Sequence, residues 1–182
     1  MAMILPHNRP CCVAALLTAL MLAGCVDSAA PLLTGAQPTF GPTVRIHGYS
    51  LSEGRANGPE VENFRWDGTQ YRVVGRPAFD VAAFTVVPFA GDDLIIQSRS
   101  SRPQVKGIEY ALARKLADGA YSLVAIDEAD ADEETRTKFC TKRAGSPCRL
   151  ETSEAVLAFA RAAAAKPDPK RSLAVVVGGR GK

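Results

Sequence analysis

The sequence predicts an α+β domain in which an antiparallel β-meander of about six strands carries one C-terminal helix packed on it. Two patterns predict this class. Three pairs of β-prone segments are joined by turns rich in Asp and Gly, and one later stretch has apolar residues at helical spacing. The meander is predicted either as an open sheet or as a partly closed barrel. With 47% hydrophobic and 23% charged residues, the chain has the composition of a globular protein.

The N-terminus has the plan of a secretory signal: a basic residue, an apolar run from Cys11 to Leu22, and then small residues. This run is shorter than the roughly 20 residues of a membrane-spanning helix. The stretch Leu22-Ala23-Gly24-Cys25 resembles the lipobox of bacterial lipoproteins. The resemblance implies that residues 1–24 are cleaved and that a diacylated Cys25 anchors the protein in the cell envelope. Because Val26 replaces the Asp that retains such proteins in the inner membrane, the expected location is the outer membrane, facing the periplasm. An ordinary cleaved signal peptide and an N-terminal membrane helix are the alternatives.

Domain boundaries follow from the composition downstream. Residues 25–43 are rich in Ala, Pro, Thr and Gly, and they are expected to form the lipidated N-terminus and a flexible tether. One globular domain is predicted over residues 44–177, starting with a strand in residues 43–51, and residues 178–182 are expected to be a disordered tail. The alternative for the tether is docking onto the domain through its large apolar residues, which are Leu32, Leu33 and Phe40.

The first hairpin is predicted around Asp67-Gly68, because this dipeptide favours a two-residue type I′ turn. Such a turn pairs Trp66 with Thr69 and Phe64 with Tyr71, and it places the aromatic rings on one face. Packing within a core is the favoured interpretation of Phe64, Trp66 and Tyr71. The alternative is that they form a face for a ligand or a partner.

Two further hairpins are predicted, over residues 83–98 with a turn at 91–93 and over residues 108–126 with a turn at 118–119. Pro88 cannot donate a ladder hydrogen bond, so its strand should lie at an edge or contain a bulge. The turn of the third hairpin predicts one shared apolar face, formed by Ile108, Tyr110, Leu112, Leu116, Tyr121, Leu123 and Ala125.

Cysteine use agrees with export. Cys140 and Cys148 are the pair left after the signal and Cys25, and in an oxidising compartment they are expected to form a disulfide. A redox or metal pair is the alternative, but the spacing is not Cys-x-x-Cys. The acidic run from Asp127 to Glu134 suggests calcium, yet it lacks the pattern of an EF-hand. A solvated loop or a first helical turn is therefore favoured for this run.

The helix is predicted to start at Thr152 or Ser153, where a hydroxyl can cap it, and to end before Pro167. Its apolar stripe consists of Val156, Phe159, Ala160 and Ala163. The β-prone residues 173–177 form either a last strand or an exposed tail.

The sequence points to a protein that is not an enzyme. With a net charge of only +3, the chain is nearly balanced, which argues against a nucleic-acid partner because such partners require a concentrated basic face. His47 is the one histidine after the signal. No metal ligand set, cofactor motif or nucleophile elbow stands out. We expect a non-catalytic interaction or structural module whose partner is another envelope protein. A carrier or sensor of a small apolar ligand is the alternative, and an envelope hydrolase is the third candidate.

Overall fold

The computed structural model describes residues 26–49, 51–52, 55–56, 60–141, 148–166 and 172–179. Its strands are β1 (Asp27–Ser28), β2 (Thr43–Tyr49), β3 (Leu51–Ser52), β4 (Arg55–Ala56), β5 (Glu60–Trp66), β6 (Tyr71–Val73), β7 (Val81–Ala90), β8 (Asp93–Ser100), β9 (Ile108–Ala117), β10 (Ala120–Ala125) and β11 (Ser172–Gly179). Its helices are α1 (Glu133–Phe139) and α2 (Ser153–Ala165), and a 3₁₀ turn over Glu128–Asp130 precedes α1.

Eight antiparallel strands close into a barrel. They follow one another around it in the order β2, β5, β6, β7, β8, β9, β10 and β11, and β11 pairs with β2 to close the ring. Of the two predicted forms, the open sheet is therefore wrong and the barrel is correct, although it is fully closed and has eight strands rather than about six. The physical reason is β11, which bonds to β10 on one side and to β2 on the other and so removes both edges of the sheet.

The predicted helix is confirmed as α2, but it is not C-terminal, because β11 follows it and α1 precedes it. Thr152 is the N-cap, and its side chain accepts a hydrogen bond from the backbone N–H of Ala155. The predicted stripe is buried against the outside of the barrel: it consists of Val156, Phe159, Ala160 and Ala163, joined by Ala155. The sequence pattern thus identified the face of the helix correctly.

The first hairpin has a longer loop than predicted. Trp66 pairs with Tyr71 and Phe64 pairs with Val73, so the register differs by two residues from the type I′ prediction. The cause is Asp67, whose Oδ1 accepts hydrogen bonds from the backbone N–H groups of Thr69 and Gln70 at 2.9 Å each. A shift of two residues preserves the faces, so the aromatic rings still lie on the same side of the sheet.

The third hairpin turns at Asp118-Gly119 as predicted, but its faces were assigned wrongly. A register shift between Ala120 and Tyr121 changes the pairing along the rest of the hairpin. Tyr121 lies opposite Lys115 and Leu123 opposite Ala113, so the two β10 residues do not share a face with Tyr110 and Leu112. A shift of one residue exchanges the two faces of a strand. The local sequence contains no pattern that predicts this shift.

The second hairpin is confirmed, with its turn at residues 91–92 and a register shift between Pro88 and Ala90. Strand β7 is paired on both sides and is therefore not an edge strand. Of the two predicted ways to accommodate Pro88, the bulge is the one present. The turns β5–β6, β7–β8 and β9–β10 lie at one end of the barrel, called the lower end here. The loops β6–β7 and β8–β9 lie at the upper end.

Residues 26–42 pack onto the barrel, which is the docking alternative to a flexible tether. Val26 is fully buried and its N–H bonds to the carbonyl of Ile126 at the upper end. The amide of Gln97 exchanges hydrogen bonds with the backbone of Leu33, and Phe40 packs against the barrel interior at the lower end. The folded unit therefore begins upstream of the expected boundary at residue 44, because Val26, Leu33 and Phe40 pack against the barrel.

Candidate functional site

The barrel interior contains a continuous group of aromatic rings. Tyr71 stacks on Phe84 with ring centroids 4.9 Å apart and contacts Trp66 edge-on at 5.1 Å. Phe64 meets Phe84 edge-on at 4.9 Å. The rings come from three neighbouring strands, β5, β6 and β7, and they lie at positions that face the barrel interior. The structure therefore brings together all three aromatic residues that the sequence singled out.

These rings fill the interior. Tyr71 is 0% exposed, Phe64 2% and Phe84 5%, so all three rings are almost completely shielded from solvent. Across the barrel, β9 supplies the small inward residue Ala113, which is 1% exposed. A small inward residue opposite large rings leaves room for them, and such a combination fills the interior of a narrow barrel. Trp66 is the exception, because it lies partly exposed at the lower end.

Phe40 closes the lower end. Its ring lies 6.1 Å from that of Tyr71 and 5.6 Å from that of Tyr121, measured between centroids. The hydroxyl of Tyr71 accepts a hydrogen bond from the backbone N–H of Phe40 at 2.9 Å and donates one to the carbonyl of Gly41 at 2.9 Å. Burial raises the pKa of Tyr71, against a smaller opposing effect of the Phe40 bond. A neutral, hydrogen-bonded phenol thus holds the closing segment in place.

Phe79 closes the upper end in a similar way. The carboxylate of Glu62, an inward residue that is 3% exposed, accepts hydrogen bonds from the backbone N–H groups of Ala78 and Phe79. The Phe79 ring lies over Gly48, where an added Cβ would come within 3.0 Å of it. Gly48 is therefore required for close approach of the ring rather than for backbone conformation.

A second inward carboxylate lies beside Glu62. Glu60 is the residue on β5 that pairs with Gly48, and its Oε2 is buried without a hydrogen-bond partner among the described atoms. Sequence reasoning missed both glutamates. Their period-two spacing with Phe64 and Trp66 was the available indication, since residues at i, i+2 and i+4 of a strand share one face.

One side of the barrel, called the covered side here, is buried by the rest of the chain. Helix α2 packs on β9, and residues 26–33 lie against β8 and β9. The covered side comprises outward residues such as Ile95, Ile108, Tyr110 and Leu112, which are at most 3% exposed. The hydroxyl of Tyr110 shares a buried hydrogen bond of 2.6 Å with that of Ser28. This surface is committed to the fold.

The opposite side, called the bare face here, consists of the outward residues of β11, β2, β5 and β6 together with Val74, which follows β6. Val74 is 49% exposed and Val176 is 43% exposed. His47 lies between Val176 and Val61 in one row across three strands. The structure thus places the histidine on the barrel surface.

The bare face is also basic. Arg45, Arg65 and Arg72 are exposed and point outward, and none of the outward residues of the four strands is acidic. Arg72 is paired, since its Nε lies 2.5 Å from Oδ2 of Asp67. This contact and the loop N–H groups hold the pKa of Asp67 well below its usual range. Arg45 and Arg65 form no ion pair with a described residue.

Two acidic residues on the covered side, Asp27 and Glu109, lie close together. Arg149 contacts both carboxylate oxygens of Asp27, at 3.1 and 3.2 Å. Burial raises the pKa of the neighbouring Glu109, and the negative charge of Asp27 raises it further, while Arg102 acts in the opposite direction. Asp27 pairs with Glu109 across β1 and β9, which explains this repulsion.

The remaining predicted positions have structural roles. Cys140 and Cys148 form the expected disulfide, with Cα atoms 5.2 Å apart. Within the acidic run, Asp127 caps the 3₁₀ turn and Asp132 caps α1, as the favoured interpretation of a helical turn requires. Among the described residues no group of three or more metal-ligating side chains occurs, and no helix in those ranges is long and apolar enough to span a membrane. The lipobox and Cys25 lie outside the described residues.

The chain matches no family model, and no curated protein or solved structure shows significant similarity to it. Its function is therefore inferred from its own geometry.

Proposed function

We propose that this protein is a lipid-anchored module of the bacterial envelope that acts by binding another protein, without catalysis. The observation that supports this most directly is the division of the barrel surface. The covered side is buried by the chain itself, while the bare face exposes Val74 and Val176 beside arginines. Arginine is enriched at protein interfaces, and exposed apolar side chains beside it can form the desolvated centre of such a contact.

The filled interior supports the same proposal over a carrier. An eight-stranded barrel is just wide enough either to be filled by side chains or to hold one small ligand. Here Phe64, Tyr71 and Phe84 are buried in contact with each other, and Phe40 and Phe79 close the two ends. A ligand of any size would have to displace these rings.

A carrier or sensor of a small apolar ligand is the second candidate. The observation in its favour is the upper end, where the loop that carries Phe79 is bonded to the interior through Glu62. Movement of this loop would open the interior next to Glu60 and Glu62. The carrier requires that opening, whereas the interaction module does not.

The proposed location of the protein at the membrane rests on the lipobox resemblance. Two acyl chains suffice for stable anchoring, and Val26, the first residue after Cys25, is already buried in the fold. An anchored barrel would therefore sit with its upper end close to the bilayer, since no flexible segment separates the two.

Two measurements test these proposals. Metabolic labelling with a palmitate analogue should label the full chain and leave the Cys25→Ala variant unlabelled; equal labelling would contradict the anchor. Native mass spectrometry of the exported Cys25→Ala chain should show the bare protein. A discrete adduct that is lost on unfolding, and that Glu62→Ala alters, would favour the carrier.

A further inference from the structure

We propose that the bare face binds an acidic surface of another envelope protein, with Arg45 and Arg65 contacting its carboxylates and Val74 and Val176 packing beside them. This inference deepens the proposed interaction function and rests on it. It names the surface that is used and the charge of the partner.

The strand register brings the arginines together. Arg65 pairs with Arg72 across β5 and β6, and it pairs with Thr43 across β2 and β5. Arg45, two residues after Thr43 on β2, is therefore the diagonal neighbour of Arg65. Like charges that lie directly opposite each other in a sheet oppose folding. An arrangement that does not help the fold is consistent with a role in recognition.

The charge of this cluster is only partly compensated. Asp67 pairs with Arg72 and leaves Arg45 and Arg65 without an acidic partner in the described part of the chain. Guanidinium groups bind carboxylates through two parallel hydrogen bonds, which gives such contacts both strength and direction. Two unpaired arginines next to exposed valines therefore match an acidic protein surface that has an apolar centre.

The position of the cluster argues against a lipid surface as its target. Val26 marks the anchored upper end, because its N–H bonds to Ile126 immediately after β10. Strand β10 has six residues, which span about 20 Å at roughly 3.3 Å per residue. Residue 120, at the lower end of β10, pairs with Val176, and Arg45 pairs with Gly178, two residues further on. The cluster thus lies well beyond the Debye length of about 8 Å from the anchoring membrane.

Site-specific photocrosslinking in cells tests the inference. A photoreactive amino acid replaces Val176 on the bare face, or the exposed Arg161 of α2 as a control position, in the full acylated chain. The double variant R45E/R65E reverses the cluster. The double variant R99E/K106E makes the same change in net charge at two exposed residues elsewhere.

We expect a discrete protein adduct from position 176 that falls at least tenfold in R45E/R65E and persists in R99E/K106E. Peptide mapping should place the crosslink in a segment of the partner with net negative charge. An adduct that R45E/R65E leaves intact, or one that maps to a neutral or basic segment, would overturn the inference. Adducts only from position 161 would also overturn the inference about the bare face, but they would support the interaction function. The absence of a protein adduct from either position would count against both the inference and the interaction function.

A second measurement addresses lipid. Vesicles of phosphatidylglycerol and phosphatidylethanolamine are sedimented with the exported Cys25→Ala chain. We expect no sedimentation that depends on Arg45 and Arg65. If binding to these vesicles is lost in R45E/R65E and retained in R99E/K106E, the target of the cluster is an anionic membrane and the protein partner is wrong.

Discussion

The covered side and the bare face of this barrel are made from similar strands but differ in what lies outside them. On the covered side, the consecutive residues Leu94 and Ile95 of β8 are both buried, one facing the interior and the other facing outward. On the bare face, buried Val44 is followed by exposed Arg45. The inward residues fill the barrel on both sides. The outward apolar residue Ile95 is buried by another part of the chain, whereas Val74 and Val176 on the bare face stay exposed.

This difference separates stability from function. The covered side carries α2, the disulfide and the buried segment that follows Val26, so substitutions there should reduce the free energy of unfolding. The bare face contributes little to the fold beyond its backbone ladder. Substitutions of its outward residues should change binding instead.

Phe159→Ala should have the largest effect on folding. The ring is fully buried between α2 and the barrel, and removing it should lower the free energy of unfolding by about 3–5 kcal/mol. Denaturant unfolding measures this loss. Val176→Ala on the bare face is the matched control and should change stability by no more than about 0.5 kcal/mol. Equal costs at the two positions would remove the distinction between the sides.

Replacing both cysteines of the disulfide with alanine should come next. The bond joins Cys140 to the fully buried Cys148, and closing this short loop should contribute about 2–3 kcal/mol. Adding a reductant to the wild type should reproduce the loss, while the variant should not respond. A reductant effect of the same size in the variant would assign the loss to another cause.

Glu62→Ala tests the interior on the bare side of the barrel. It removes the acceptor for the N–H groups of Ala78 and Phe79, at an expected cost of about 1–3 kcal/mol. Hydrogen exchange at these two amides should accelerate. Glu60→Ala is the control, because it removes a buried oxygen that has no partner, and it should be neutral or stabilising. A larger loss for Glu60→Ala than for Glu62→Ala would contradict this assignment.

Glu109 should make stability depend on pH. Burial, followed by repulsion from Asp27, raises its pKa in the folded chain above the ordinary value of 4.5. The folded state thus binds this proton more tightly, so stability falls as the pH rises from 4.5 through the folded pKa. Glu109→Gln should therefore melt at a higher temperature than the wild type at pH 8, and the advantage should vanish below pH 4. A variant that is less stable at pH 8 would contradict this sign.

Arg65→Ala should have the smallest effect on folding. It removes one member of the like-charged pair with Arg72, so stability should stay constant or rise by up to about 0.5 kcal/mol. Thermal melts at low and high salt should show that any gain shrinks as screening increases. A loss above 1 kcal/mol would show that Arg65 supports the fold.

Sequence patterns predicted the individual strands, turns and helix better than the closure of the barrel. The capped helix, the turn at Asp118-Gly119 and the bulge near Pro88 follow from local chemistry, and all are present. The closing strand β11 was predicted only as one of two alternatives, because pairing with β2 spans more than a hundred residues. Such pairing depends on the complete arrangement of strands rather than on local propensity.

The candidate site was predicted in part. The aromatic residues Phe64, Trp66 and Tyr71 were expected on one face and lie together in the barrel interior. The cluster of Arg45 and Arg65 was not foreseen, since the two residues are twenty positions apart and meet only through the register of β2 and β5. A one-residue register shift at Ala120 likewise exchanged the predicted faces of β10.

Maleimide labelling of single engineered cysteines compares the two environments most directly. Val176→Cys reports on the bare face, and Leu116→Cys, at a residue that is 64% exposed near the lower end, serves as the control. In the purified protein both thiols should react at similar rates. In the intact envelope Val176→Cys should be protected at least tenfold while Leu116→Cys stays reactive. Equal reactivity at position 176 in both settings would show that nothing covers the bare face.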